Sequence, residues 1–79
     1  MDTQNKISNI LSNASGVALE NIDSNTNIYN DLGLDSLDIT EVVMDIEKGF
    51  KIRITHDEVY TLNTIEDIVR LIKEKKHEL

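Results

Sequence analysis

The chain of 79 residues has no cysteine, no proline and no tryptophan. Without cysteine there is no disulfide to staple a short chain and no thiolate to hold a metal. A domain of this size is marginal without such a staple, so the aliphatic residues must supply the core, and a helical bundle is the most economical way to bury them. One Phe and two Tyr, with no Trp, leave no aromatic platform on which nucleic-acid bases would stack. No apolar run approaches the roughly 20 residues that span a bilayer, and the N-terminus has no apolar stretch of the signal-peptide kind. The expectation is a cytoplasmic protein without membrane insertion. Between Glu20 and Glu47 there is also no basic residue.

What fills that stretch is acid: Glu20, Asp23, Asp31, Asp35, Asp38, Glu41, Asp45 and Glu47. The formal net charge of −7 argues against nucleic acid and anionic membranes as partners. Acids on a small domain serve solubility; gathered on one segment, they also suit a docking surface for basic partners. Lys48, Lys51 and Arg53 follow the acidic segment, and residues 68–79 carry four bases against two acids.

In chain order, Ile7, Ile10, Leu11 and Ala14 recur at helical spacing and predict a first helix over about 3–15, capped by Asp2 or Thr3 and stopped at Gly16. The opposite, polar face holds Lys6, Ser8, Asn9, Ser12 and Asn13. Residues 16–35 form a long connection whose Val17, Leu19, Ile22 and Ile28 suggest that it lies on the core, with a helical turn near Ile28–Leu32. Gly33 gives freedom for a tight turn. A second helix follows over about 36–50, with Asp35 as its cap. At roughly 100° per residue from Ser36, Ile39, Val42, Val43, Ile46 and Phe50 share one arc, while Leu37 and Met44 fall almost opposite. Residues 51–54 alternate as an extended connector. Thr55 and Glu58 have capping-box spacing and open a short third helix carrying Val59 and Leu62 inward. Asn63 and Glu66 offer a second box before a last helix with Ile65, Ile68, Val69 and Ile72 on one face, acids in its first turn, and Lys73, Lys75 and Lys76 at its end. The expected fold is all-α: three main helices and one short one in a single domain, 1–79, with a long loop between the first two.

Asp23-Ser24-Asn25-Thr26-Asn27 invites a calcium-loop reading, which fails because Ile28 stands where the loop needs Gly and Leu34 where it needs Glu. The chemistry centres instead on Asp31-Leu32-Gly33-Leu34-Asp35-Ser36-Leu37-Asp38. For Ser36 to act as a nucleophile it needs a base. The two histidines, His56 at a helix start and His77 near the C-terminus, are poorly placed, and no G-x-S-x-G elbow surrounds the serine. No metal-ligand spacing or phosphate loop is present, so neither catalytic residues nor a metal site are expected. Ser36 suits modification by another protein, because a phosphodiester is favoured at a helix N-terminus. The competing reading makes it a simple helix cap. Leu37 and Met44, apolar, outward and rimmed by acid, weigh toward an interface.

These residues carry a resemblance. Asp31-Leu32-Gly33, then Asp35-Ser36-Leu37-Asp38, then Glu41-Val42-Val43-Met44 is similar to the acyl carrier protein family, and the likeness runs from Ile7 to about Ile72. It implies a four-helix bundle that is not an enzyme. A 4′-phosphopantetheine arm would be moved from coenzyme A to Ser36 by a separate phosphopantetheinyl transferase. The arm's thiol would then hold acyl chains as thioesters for fatty-acid synthase-type enzymes. The positions matching the family's docking helix are Asp35, Leu37, Asp38, Glu41, Met44, Asp45 and Glu47, read by basic surfaces on partners. A monomer is expected. The cations Lys48, Lys51 and Arg53 depart from the family's usual acidity. They raise the alternative of a specialised carrier for polyketide, peptide or lipid-modifying pathways. An unmodified helical adaptor is the alternative of a different class.

Overall fold

A computed structural model describes residues 3–77, without the side chain of His77. Four helices form: α1 (Thr3–Ser15), α2 (Ser36–Phe50), α3 (His56–Val59) and α4 (Ile65–His77), with a single 3-10 turn at Leu19–Asn21 in the long loop. The expected architecture of three long helices and one short one is the one observed. The capping role expected of Asp2, and the surroundings of His77, lie outside the described residues.

Each boundary has a local cause. Gly16 ends α1 at φ +82°, donating its N–H to the Ser12 carbonyl at 2.8 Å, a left-handed stop that costs glycine little. Asp35 and Asp38 close the start of α2 as a reciprocal capping box, and Thr55 and Glu58 do the same for α3. At α4 the expected box is shifted by one residue. Thr64, not Asn63, accepts from the N3 backbone, and N3 is Asp67, whose carboxylate takes the N–H groups of both Thr64 and Asn63. Glu66 is left free to pair with Arg70 at 3.2 Å.

α1 packs against both α4 and α2. Its inner face is turned from the one expected: Ile7 and Leu11 are buried, but so is Ser8, while Ala14 is exposed. Two neighbours pull the buried arc toward the small serines. Ser12 and Ser15 satisfy their hydroxyls locally, on the carbonyls of Val17 and Leu11. The core otherwise follows the helical periods: Ile39, Val42, Val43, Ile46 and Phe50 from α2, and Ile65, Ile68 and Ile72 from α4. Val59 is half-buried and Leu62 fully so.

The long loop lies on the core through Ile22, Ile28, Leu32 and Leu34. It is also tied to α4 by backbone hydrogen bonds. The Ile65 and Glu66 N–H groups donate to the carbonyls of Thr26 and Ser24, and the Ile28 N–H donates to that of Asn63. The loop therefore supplies acceptors for α4's first-turn donors, which have no partner within the helix.

Candidate functional site

The eight residues from Asp31 to Asp38 divide into anchors and presented groups. Asp31 Oδ2 accepts the Asn27 N–H, and Asn27 Oδ1 accepts those of Tyr29 and Asn30. With Asp31, Leu32 and Gly33 donating to carbonyls at 27 and 29, this makes the expected turn before the helix. Leu32 and Leu34 are buried on either side of Gly33, which takes φ +69°. A Cβ there would meet nothing within 4 Å, so glycine is required by conformation and not by space. Two buried leucines and one left-handed residue thus fix where the chain emerges to begin α2.

What emerges is Ser36, exposed as the first residue of α2. The cap is Asp35, whose Oδ1 takes the Asp38 N–H at 3.0 Å, while Asp38 Oδ2 takes the Asp35 N–H at 3.2 Å. The Asp38 N–H, with further help from the Asp38 side chain and the Leu37 N–H, holds the Asp35 carboxyl below its usual range against a weaker opposing effect of desolvation. Because Asp35 does the capping, the simple-cap reading of Ser36 loses its basis. Among the described residues the Ser36 hydroxyl has no hydrogen-bond partner. Its backbone carbonyl accepts from Thr40 Oγ1 at 2.9 Å, a contact the sequence did not suggest.

The expected docking residues separate into two groups. Leu37 is 78% exposed and Met44 51%, and Asp35, Glu41 and Asp45 are exposed around them. Asp38 and Glu47 are half-buried and have structural work. Asp38 completes the cap. Glu47 Oε2 accepts the Ile54 N–H at 2.8 Å, clamping the extended connector back onto α2. The i, i+7 pairing of a helical carboxylate with a strand-like N–H has no sequence signature, so this structural role of Glu47 was missed.

The arrangement fits a covalent arm. The hydroxyl is accessible, and among the described residues nothing competes for it and no base hydrogen-bonds to it. Of the first N–H groups of α2, that of Asp38 is taken by the Asp35 carboxylate. Among the described residues no group of three or more His, Asp or Glu is placed to bind a metal. No described helix is long and apolar enough to cross a membrane.

A small bundle that holds one exposed serine at a helix start, with no catalytic machinery around it, has the build of a carrier module. The family model described as a phosphopantetheine attachment site matches residues 5–72. The acyl carrier protein of Nitratidesulfovibrio vulgaris is 36% identical over 76 residues, 96% of this chain and 100% of that one. That of Syntrophobacter fumaroxidans is 37% identical over 73 residues, 92% of this chain and 90% of that one. The crystal structure of an acyl carrier protein from Thermotoga maritima superposes with a TM-score of 0.77 at 30% identity, covering 92% of this chain and 85% of that one. The chain belongs to the acyl carrier protein family, whose members are carriers built around 4′-phosphopantetheine and not enzymes.

Proposed function

We propose that Ser36 is the attachment point of the 4′-phosphopantetheine arm, and that the chain, as one carrier domain, shuttles acyl thioesters between cytoplasmic enzymes of fatty-acid biosynthesis. The observation that carries this reading is the division of labour at the start of α2: Asp35 caps, and the adjacent Ser36 hydroxyl is exposed and unengaged. The bound arm supplies a thiol that the chain itself lacks. The chain's own residues position the acceptor oxygen, through Leu32, Gly33 and Leu34, and keep the first turn of α2 closed without it.

Partners approach over Leu37 and Met44, with Glu41 and Asp45 as the free carboxylates and the capping Asp35 exposed beside them. Their basic surfaces gain attraction and orientation from these acids. Asp38 and Glu47 contribute charge to that face but are committed to the fold. Incubation with coenzyme A and a broad-specificity phosphopantetheinyl transferase should raise the intact mass by one arm in the wild-type chain and by none in Ser36→Ala. An arm on the Ala variant would move the site elsewhere.

A further inference from the structure

The chain's cations are not used alike. Arg70 pairs with Glu66 and Asp67, Lys75 pairs with Glu58 at 3.0 Å, Lys76 donates to the Phe50 carbonyl at 3.2 Å, and Lys6 lies 5.5 Å above the Phe50 ring. Lys48, Lys51, Arg53 and Lys73 are exposed and make no ion pair or side-chain hydrogen bond among the described residues; Lys73 stands apart on α4, and the other three are near neighbours in the chain. These three sit together at the far end of α2 and on the connector behind it.

Lys48 continues the presented stripe. Leu37, Glu41, Met44 and Lys48 stand at i, i+4, i+7 and i+11, one line along the helix. Lys48 lies twelve residues beyond Ser36, about 18 Å along the axis. The outward face of α2 is thus bipolar, acidic near Ser36 and basic at its end. Cations at a helix C-terminus also favour the dipole, which accounts for Lys48 and Lys51 in part. It does not account for Arg53, which lies past the helix.

Lys51 adds an independent sign. It takes φ 59°, ψ 50° as the C-cap of α2 and is the one described non-glycine residue with positive φ. Glycine is the residue such caps favour. A lysine held in this conformation is disfavoured by the backbone, and strain of this kind gathers at functional positions.

We infer that Lys48, Lys51 and Arg53 form a second docking element on this carrier, read by an acidic patch on its partner synthase. Its first residue, Lys48, lies about 10 Å along the axis of α2 from Glu41 and about 5 Å from Asp45, so the acidic patch adjoins the basic patch that meets those two carboxylates. The inference rests on the carrier reading of Ser36. The basic element selects partners by charge, because a synthase that is basic along its whole docking surface meets repulsion there.

The test uses the arm-bearing protein and the condensing synthase encoded by the same genome, titrated calorimetrically at low salt. Lys48→Glu and Arg53→Glu should each weaken binding about tenfold, as loss of attraction turns into repulsion. Lys51→Gly should weaken it severalfold while the melting temperature is kept or raised. Lys48→Gln, which only removes charge, should fall between Lys48→Glu and wild type. Reversals that leave affinity unchanged, or tighten it, overturn the inference. Intact mass of the same samples separates the two claims. A wild-type chain that accepts no arm sinks the Ser36 reading, whereas an armed chain whose affinity ignores these cations sinks the docking element alone.

Discussion

Replacing Glu47 by alanine tests whether this carboxylate belongs to the fold or to the docking face. In the structure its Oε2 holds the Ile54 N–H at 2.8 Å. The carbonyl of the same residue takes the N–H groups of Lys51 and Ile52, so Glu47 organises the whole exit from α2. A hydrogen bond to a charged group is worth about 1.5–3 kcal/mol, and an orphaned buried N–H adds a desolvation penalty. The carboxylate is half-buried and water reaches one side of it, which puts the loss near the lower end, about 1.5 kcal/mol. For a domain of this size each kcal/mol moves the melting temperature by about 4–8 °C, giving a drop of about 6–12 °C. Thermal melts followed by far-UV circular dichroism read this directly. Amide exchange at Ile54 should accelerate more than at core positions such as Ile46. Asp45→Ala is the control: Asp45 is exposed and engages no partner among the described residues, so its loss should change stability by less than about 0.5 kcal/mol. If Glu47→Ala and Asp45→Ala melt together, the clamp contributes nothing and the reasoning is wrong.

Further predictions follow the same division. Asp38→Lys should lower stability by about 1 kcal/mol, because it breaks the capping box and places a cation at a helix N-terminus; Glu41→Lys should leave the melt unchanged yet weaken a basic synthase partner in a pull-down or titration. Acid should destabilise the fold through three capping carboxyls. Asp35 and Glu58 are lowered chiefly by the N–H groups of Asp38 and Thr55. At Asp67 burial pushes upward, but the N–H groups of Asn63 and Thr64 outweigh it. Groups with depressed folded values bind fewer protons when folded, so their stabilisation is complete above the unfolded values of 3.8 and 4.5 and is lost as pH falls through the folded ones. Unfolding midpoints should therefore decline below about pH 4.5, and Asp35→Asn should flatten that decline. Ile46→Ala, which truncates a fully buried side chain, should cost about 2–5 kcal/mol and remove most of the cooperative transition in a domain this small.

Much of this was legible in the residues. Helical periods placed α2 and its core from Ile39 to Phe50, and the same angles put Leu37 and Met44 outside. Asp35 as cap and Gly33 as hinge follow from side-chain chemistry and conformational freedom alone. The readings that missed depend on neighbours distant in sequence or on close local competition. Ser8 is buried because α1 meets two helices at once. Thr64 displaces Asn63 as cap because the loop's carbonyls at Ser24 and Thr26 already fix the first turn of α4. The bond from the Ile54 N–H to Glu47 was not legible because it needs the connector to fold back onto α2. Asp38 at N3 of a helix capped by Asp35 has a second role, as the reciprocal half of the capping box, that the residue spacing did carry.

The central claim concerns one oxygen, and mass spectrometry of the protein isolated from its own source, cleaved to the fragment that contains Ser36, tests it most directly. The account predicts a 4′-phosphopantetheine group, free or acylated, on that fragment and on no other. A native fragment that is uniformly bare, or an arm found on a different hydroxyl, would contradict it.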